Sequence, residues 1–171
     1  PLCYSPEILR FAQKICLFFS PIVCSFRPLT PVKIRLIAMS KNSPLEFGPV
    51  RPFEAENPGS YAVRMAESKV LASSLDQRNG TIIIGSDTVV AIGNMILGKP
   101  RDASHAEYML RLLRNGEHAI HTALSVLWKG QHRLTSTRVL TKVNMRNYSD
   151  LEMGQYIASG DPMDKAGGYA V

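Results

Sequence analysis

The chain has 171 residues, of which 45% are hydrophobic, and this composition is that of one globular domain with a core rather than of a disordered segment. Its net charge of +6 is unevenly spread, because residues 1–50 carry a balance of +4 and residues 51–171 a balance of only +2. The nearly neutral body of the chain argues against a nucleic-acid partner, since such partners select broad basic surfaces.

The beginning of the chain differs in composition from the rest. Residues 1–50 hold all three cysteines and seven of the eleven prolines, and the odd cysteine count does not indicate a disulfide framework. The apolar stretch 15–26 contains Pro21 and is shorter than the roughly 20 residues that span a bilayer, so we predict no membrane partner. We expect residues 1–49 to be an atypical segment that is not native to the domain, and the domain to occupy residues 50–171.

The patterns from residue 51 onward predict a mixed succession of helices and strands. Helices are expected at 61–73, after Asp102 and from Ser149 to Gly160, and strands at 81–84, 89–92, 95–97, 118–128 and 133–143. Gly93-Asn94 is a two-residue hairpin signal between two of these strands. This order predicts an α/β fold with at least one antiparallel hairpin, not a regular βαβ alternation.

Two motifs flank the predicted hairpin. GSDTVV (85–90) places Asp87 at the end of an apolar strand, and ILGKP (96–100) returns Lys99 across the turn. An aspartate and a lysine that converge suit metal-assisted phosphate chemistry, because a metal ion and a cation can share the phosphate charge. Taken singly, Asp87 is more often a strand-end cap and Lys99 a loop charge, so the two residues alone leave both interpretations open.

Lys69 lies in the middle of the apolar arc of the helix predicted over 61–73. A lysine there either extends outward to solvent or faces an anionic ligand, since burial without a partner is costly. The helix pattern by itself favours the outward position. The sequence contains no phosphate-binding P-loop, dinucleotide-binding glycine motif, nucleophile elbow or H-E-x-x-H metal motif.

Five blocks, in order along the chain, resemble the Maf family of septum-formation-related nucleotide pyrophosphatases. They are Glu54 ahead of Pro58-Gly59, RMAESK (64–69), GSDTVV (85–90), ILGKP (96–100) and DKAGGY (164–169). The similarity covers residues 50–171. Nothing in residues 1–50 corresponds to the family's L-A-S-x-S-P-R-R segment, and the sequence stops before its G-I-Q-G segment. We therefore expect the chain to be incomplete at both ends relative to the family.

The resemblance implies an α/β fold with a mixed sheet, flanking helices and a central cleft, related to that of inosine triphosphatase-like enzymes. It implies a cytoplasmic nucleoside triphosphate pyrophosphatase that hydrolyses dTTP, UTP or modified pyrimidine nucleotides to the monophosphate and pyrophosphate. It also implies a divalent cation, Mg²⁺ or Mn²⁺. Members of the family are often dimeric, so a homodimer is expected.

The resemblance also implies roles for particular residues. Asp87 would be the catalytic carboxylate, activating water or holding the metal, and Glu54 would be a second carboxylate on the metal. Lys69, Lys99 and Lys165 would bind the triphosphate. Thr88 would belong to the substrate-binding residues, since a threonine after the aspartate is typical of the subgroup acting on dTTP and UTP, whereas the 7-methyl-GTP subgroup commonly has glutamine there.

Two alternatives to an active enzyme stay open from the sequence. The missing S-P-R-R and G-I-Q-G segments are compatible with a nucleotide-binding regulator of cell division that does not turn over its ligand. They are equally compatible with an inactive gene fragment.

Overall fold

The computed structural model describes residues 34–36, 52–53, 56–75, 77–131 and 133–169. The chain divides into two compact units, Pro1–Val32 and Lys33–Val171, and all of these residues belong to the second. The strands within the described ranges are β1 (Ile34–Leu36), β2 (Ile82–Ile92), β3 (Met95–Leu97), β4 (Glu117–Trp128) and β5 (Arg133–Asn144). The helices there are α1 (Pro58–Ser73), α2 (Ala103–Leu113) and α3 (Asp150–Ala158), and short 3₁₀ turns occupy Lys129–Gln131, Asp161–Asp164 and Ala166–Gly168.

The five strands form one mixed sheet. Its order is β1-β2-β4-β5, with β3 paired to β2 at the predicted hairpin. Strand β1 runs parallel to β2, whereas the other pairs are antiparallel. The register aligns Asp87 on β2 with Ala123 on β4, and Ala123 with Arg138 on β5. The predicted α/β fold with a mixed sheet is confirmed.

Helix α1 packs on one face of this sheet through small residues that permit close approach. Ala66 is fully buried and lies in one cluster with Val89 of β2. Gly85 of β2 also permits this close packing, because a Cβ at that position would lie only 2.6 Å from Val70 Cγ2 of the helix. Side chains alternate along a strand, so Asp87, between Gly85 and Val89, also faces α1.

Helix α2 packs on the opposite face. Its residue Leu113 joins a buried cluster with Val90 of β2 and Leu97 of β3. The helix begins where predicted, because the Asp102 side chain accepts a hydrogen bond from the backbone N–H of His105 at 2.7 Å. Helices therefore flank both faces of the sheet, as the resemblance implied.

Two element boundaries differ by more than two residues from those predicted. Helix α1 begins at Pro58 rather than at residue 61, because Asn57 accepts a hydrogen bond from the Gly59 N–H at 2.9 Å and a proline fits the first turn. Strand β2 runs unbroken from Ile82 to Ile92 instead of stopping before Gly85, because its pairing with β4 continues through these residues. Asp87 consequently lies inside the strand, and its predicted position at a strand end is wrong.

Strand β1 lies in the segment 1–49, to which the sequence patterns assigned no element. The boundary predicted between residues 49 and 50 stays a prediction, and the rest of that segment lies outside the described residues, as does Glu54. None of the helices in the described part of the chain combines the length and the apolar character that crossing a bilayer requires.

Candidate active site

Asp87 and Lys69 form the centre of the candidate site. The Lys69 ammonium donates a hydrogen bond to Asp87 Oδ1 at 2.5 Å and another to the Ser86 carbonyl oxygen at 3.2 Å. Both side chains are largely withdrawn from solvent, with 19% of Lys69 and 16% of Asp87 exposed. The outward position that the helix pattern favoured for Lys69 is wrong, because the carboxylate of Asp87 compensates the burial of its charge.

The electrostatics of Asp87 reflect competition between burial and nearby cations. Burial raises the pKa of its carboxyl group, whereas the hydrogen bond and charge of Lys69 and the more distant charge of Lys99 act to lower it. The net shift of the Asp87 pKa is upward, so burial is the larger effect. Lys99 therefore lies close enough to act on Asp87 electrostatically, as its place across the hairpin predicted.

Tyr61 is a neighbour of Asp87 that the sequence motifs did not identify. Burial raises the pKa of the Tyr61 hydroxyl, and the negative charge of Asp87 raises it further. Tyr61 precedes Lys69 by a little more than two helical turns, which places both residues on a similar side of α1. Once Lys69 is assigned to the site, this spacing in the sequence indicates that Tyr61 lies near it.

The loop that carries Lys165 is hydrogen-bonded to the loop that carries Lys99. The Gly167 N–H donates to the Gly98 carbonyl oxygen at 2.9 Å. Gly167 has a φ of +72°, and a Cβ there would lie 3.0 Å from Val90 Cγ1, so conformation and space both require glycine. The DKAGGY block therefore places the turn that carries Lys165 beside Gly98, which follows the last strand of the hairpin.

Lys165 itself contacts its own turn rather than Asp87. Its ammonium donates to the Asp161 carbonyl oxygen at 2.5 Å and to Asp164 Oδ1 at 2.9 Å. The hydrogen bond with Asp164 raises the pKa of Lys165, so this side chain is cationic at neutral pH. With 30% of the side chain exposed, Lys165 is accessible to an anionic ligand.

Thr88 lies on the other face of β2 from the pair of Asp87 and Lys69. Its Oγ1 lies 3.3 Å from Thr122 Oγ1 on the neighbouring strand. Because side chains alternate along β2, Thr88 faces the side of the sheet opposite to Asp87. The substrate-binding role of Thr88 stays a prediction without support from this geometry.

A shallow depression of about 450 Å³ lies beside α1. Its lining comprises Gly59, Ser60, Val63, Arg64, Glu67 and Arg138. None of the residues assigned to the candidate site lines it, so the depression gives no information on where the triphosphate would bind.

The described residues contain no group of three or more His, Cys, Asp or Glu side chains placed to hold a metal ion. Among the residues predicted to be metal ligands, Asp87 is described and Glu54 is not. One or two carboxylates are what Mg²⁺ commonly receives from a protein when it is bound together with a substrate's phosphates. Among the described residues Asp87 supplies one such carboxylate.

The fold and the site together define a class of protein: an α/β domain in which a half-buried carboxylate is paired with one lysine while the charge of a second lysine acts on it. The chain belongs to the Maf family, since the sequence model described as "Maf-like protein" matches residues 29–171.

Curated relatives share this similarity. A protein of Clostridium botulinum (strain Kyoto / Type A2), named dTTP/UTP pyrophosphatase, is 39% identical over 123 residues, which are 70% of this chain and 62% of that protein. A dTTP/UTP pyrophosphatase of Nitrosomonas europaea is 40% identical over 124 residues, covering 70% of this chain and 59% of the relative. The chain therefore spans less than two thirds of the length of these two relatives. A dTTP/UTP pyrophosphatase of Dictyoglomus thermophilum is 37% identical over 144 residues, covering 80% of this chain and 74% of the relative.

Proposed function

We propose that this protein is a nucleoside triphosphate pyrophosphatase that hydrolyses dTTP and UTP to the monophosphate and pyrophosphate. The observation that carries the proposal is the half-buried pair of Asp87 and Lys69, with the charge of Lys99 acting on the same carboxylate. The names of the relatives support the reaction and the pyrimidine substrates. They give no support to the alternative of a non-catalytic regulator.

The lysines would bind the triphosphate. Lys69 is paired with Asp87 in the structure, and phosphate oxygens would offer its ammonium further acceptors beside that carboxylate. Lys99 would contribute charge from the end of the hairpin, and Lys165 from the adjoining turn. Lysines suit this task because each is a compact charge with three donors that need no fixed geometry.

Asp87 would act as the base that takes a proton from the attacking water. The water oxygen would form a bond to the α-phosphorus, and the bond from that phosphorus to the bridging oxygen would break, with pyrophosphate leaving. A carboxyl group whose pKa burial has raised is a stronger base than an exposed one. Positioning and charge would supply most of the remaining acceleration.

A divalent cation, Mg²⁺ or Mn²⁺, would be held by Asp87, by Glu54 and by the phosphates, and it would offset the charge that develops on the leaving group. A cytoplasmic location and a homodimer remain part of this proposal.

The direct test is release of pyrophosphate from a panel of substrates. The folded protein is incubated with Mg²⁺ and with dTTP, UTP, CTP or 7-methyl-GTP in parallel. We expect pyrophosphate from dTTP and UTP at higher kcat/KM than from 7-methyl-GTP. The absence of pyrophosphate from all four nucleotides would reject the enzymatic proposal, and a preference for 7-methyl-GTP would reject the substrate assignment.

A further inference from the structure

His118 is a buried polar residue on β4 that the proposed reaction does not use. Only 4% of it is exposed, and its Nε2 is hydrogen-bonded to the Tyr169 hydroxyl. The two rings meet edge to face, with centroids 5.4 Å apart and planes at 90°. Its Nδ1 has no hydrogen-bond partner among the described residues.

Tyr169 closes the turn that begins at Lys165. The Gly168 N–H donates to the Lys165 carbonyl oxygen at 3.0 Å, which fixes the two ends of the turn against each other. The same turn is tied to the hairpin by the hydrogen bond from Gly167 to Gly98, the residue before Lys99. An anchor at Tyr169 therefore acts on the positions of both lysines.

Hydrogen bonds of Gly167 and Gly168 hold the backbone of this turn, but they do not orient the ring of Tyr169. Gly167 and Gly168 both have positive φ angles, +72° and +74°, and glycine has the greatest backbone freedom of any residue. Tyr169 contributes to the edge of the buried cluster around Val90, but apolar packing is not directional. The hydrogen bond to His118 fixes the orientation of the Tyr169 ring.

The stability of the fold does not by itself explain why His118 and Tyr169 occupy these positions. Replacing two hydrogen-bonded partners by apolar groups of similar shape is often nearly neutral, and a buried ring nitrogen without a partner is unfavourable. A leucine at position 118 would avoid that unpaired nitrogen. What the histidine adds is a specific orientation of the Tyr169 ring.

We propose that His118 is a positioning residue, which holds the Lys165 turn and the adjoining Lys99 loop in the arrangement that receives the triphosphate, through the hydroxyl of Tyr169. This proposal rests on the proposed function of the site.

The test compares two single-hydroxyl deletions. Tyr169→Phe removes the hydroxyl that His118 holds. Tyr148→Phe removes a comparable half-buried hydroxyl, which donates to the Leu110 carbonyl oxygen at 2.6 Å away from the candidate site. We expect Tyr169→Phe to raise the KM for dTTP by about three- to tenfold, the range that loss of one neutral hydrogen bond produces, with kcat changed less than about twofold. Tyr148→Phe should leave KM unchanged.

Two further variants separate positioning from packing. His118→Gln keeps a donor and an acceptor near the place of Nε2, so it should retain a KM close to that of the unmodified chain, whereas His118→Leu should raise KM as Tyr169→Phe does. In a Lys165→Ala background the effect of Tyr169→Phe should shrink, because one of the two positioned ammonium groups is gone. Equal effects of Tyr169→Phe in both backgrounds would overturn the role of Lys165 in the proposal.

A readout that does not need turnover distinguishes this proposal from the proposed function. Trypsin is specific for lysine and arginine, so the rate at which it cuts the bond after Lys165 measures how firmly the turn is held. We expect Tyr169→Phe to accelerate it and Tyr148→Phe not to. If the unmodified chain shows no turnover, the dissociation constant for dTTP replaces KM and the enzymatic proposal alone fails. If Tyr169→Phe changes neither the cleavage rate nor KM, or changes cleavage without changing KM, the positioning role is overturned while the proposed function stands.

Discussion

The ammonium of Lys69 and the carboxylate of Asp87 lie 2.5 Å apart beneath helix α1 and form a half-buried ion pair. Each residue explains the other: the lysine lies on the inward arc of the helix because an anion is there, and the aspartate is ionisable inside the strand because a cation is there. Since burial nonetheless raises the pKa of Asp87, the pair leaves a carboxylate with more affinity for a proton than an exposed one. Variants of this pair therefore test whether Asp87 is the base.

Replacing Lys69 by methionine should move the acidic limb of the pH profile of kcat/KM to higher pH. The hydrogen bond and charge of Lys69 act to lower the pKa of Asp87, so their loss raises that pKa further. Protonation then removes the base at a higher pH than before. The measurement is pyrophosphate release from dTTP at limiting concentration over a pH series that extends on the acidic side to about 3.9, the ordinary pKa of an aspartate.

Lys142→Met is the matched control for that experiment. Lys142 is an exposed lysine on β5 that pairs with Glu117 at 3.2 Å, away from Asp87. Its loss should leave the acidic limb in place, because exposed pairs have little effect beyond their own partners. An acidic limb that stays unchanged or moves to lower pH in Lys69→Met would show that Asp87 is not the titrating group.

Gly167→Ala should destabilise the protein by about 1–3 kcal/mol, the range for a non-glycine residue held in a left-handed conformation. Its φ is +72° and the added Cβ would press on Val90, so the turn must shift. Because that turn carries Lys165, the KM for dTTP should rise as well. Chemical denaturation gives the free energy of unfolding, and initial rates give KM.

Gly154→Ala provides a control of opposite sign. Gly154 lies within helix α3, and a Cβ there would meet no atom within 4 Å. Alanine should therefore stabilise the protein by about 0.5–1 kcal/mol through its higher helix propensity, with KM unchanged. A Gly167→Ala protein as stable as Gly154→Ala would contradict the conformation described for the turn.

The free energy of unfolding should decrease as the pH falls below about 6.5, the ordinary pKa of histidine. Burial lowers the pKa of His118 in the folded chain, so the unfolded chain takes up the proton first. The stabilisation is complete above the unfolded pKa and is lost as the pH falls toward the folded one. Denaturation curves at pH 7.5 and at lower pH measure it.

His118→Gln should reduce that pH dependence without abolishing it. His121 contributes in the same direction, because burial and then the charge of Arg138 lower its pKa in the folded chain. The double replacement of both histidines should flatten the dependence further. A slope that His118→Gln leaves unaltered would mean that His118 is protonated to the same degree in both states.

Thr88→Val should change the KM for dTTP and UTP by less than about twofold, below the effect of losing one hydrogen bond to a ligand. The Thr88 hydroxyl lies by Thr122 and on the face of β2 opposite to Asp87, so removing it takes nothing from the pair of Lys69 and Asp87. A tenfold rise in KM would instead support the substrate-binding role that the family resemblance implies for this residue.

Local signals in the sequence were sufficient for most of the described elements. The capping box of Ser149 and Glu152 opens α3 as predicted, and Gly93-Asn94 forms the hairpin turn. The extended conformation of β2 through Gly85 and Asp87 was not predictable in this way. Glycine and aspartate are poor strand formers, and pairing with β4 imposes the strand on them.

The candidate site was predictable only in part from the residues. The hairpin correctly placed Lys99 near Asp87, and the family resemblance directed Lys69 inward, whereas the helix pattern alone favoured solvent. The contact between His118 and Tyr169 joins residues that are 51 positions apart, and no local pattern indicates such a contact. It depends on how the last described turn folds back onto β4.

Pyrophosphate release from dTTP with Mg²⁺, compared between the unmodified chain and Asp87→Asn, shows whether Asp87 is the base. The side chain of asparagine has nearly the same shape but does not accept a proton from water, so the rate should fall by about 100-fold or more while the circular dichroism spectrum is retained. An Asp87→Asn protein that is folded and releases pyrophosphate at the rate of the unmodified chain would show that Asp87 is not the base.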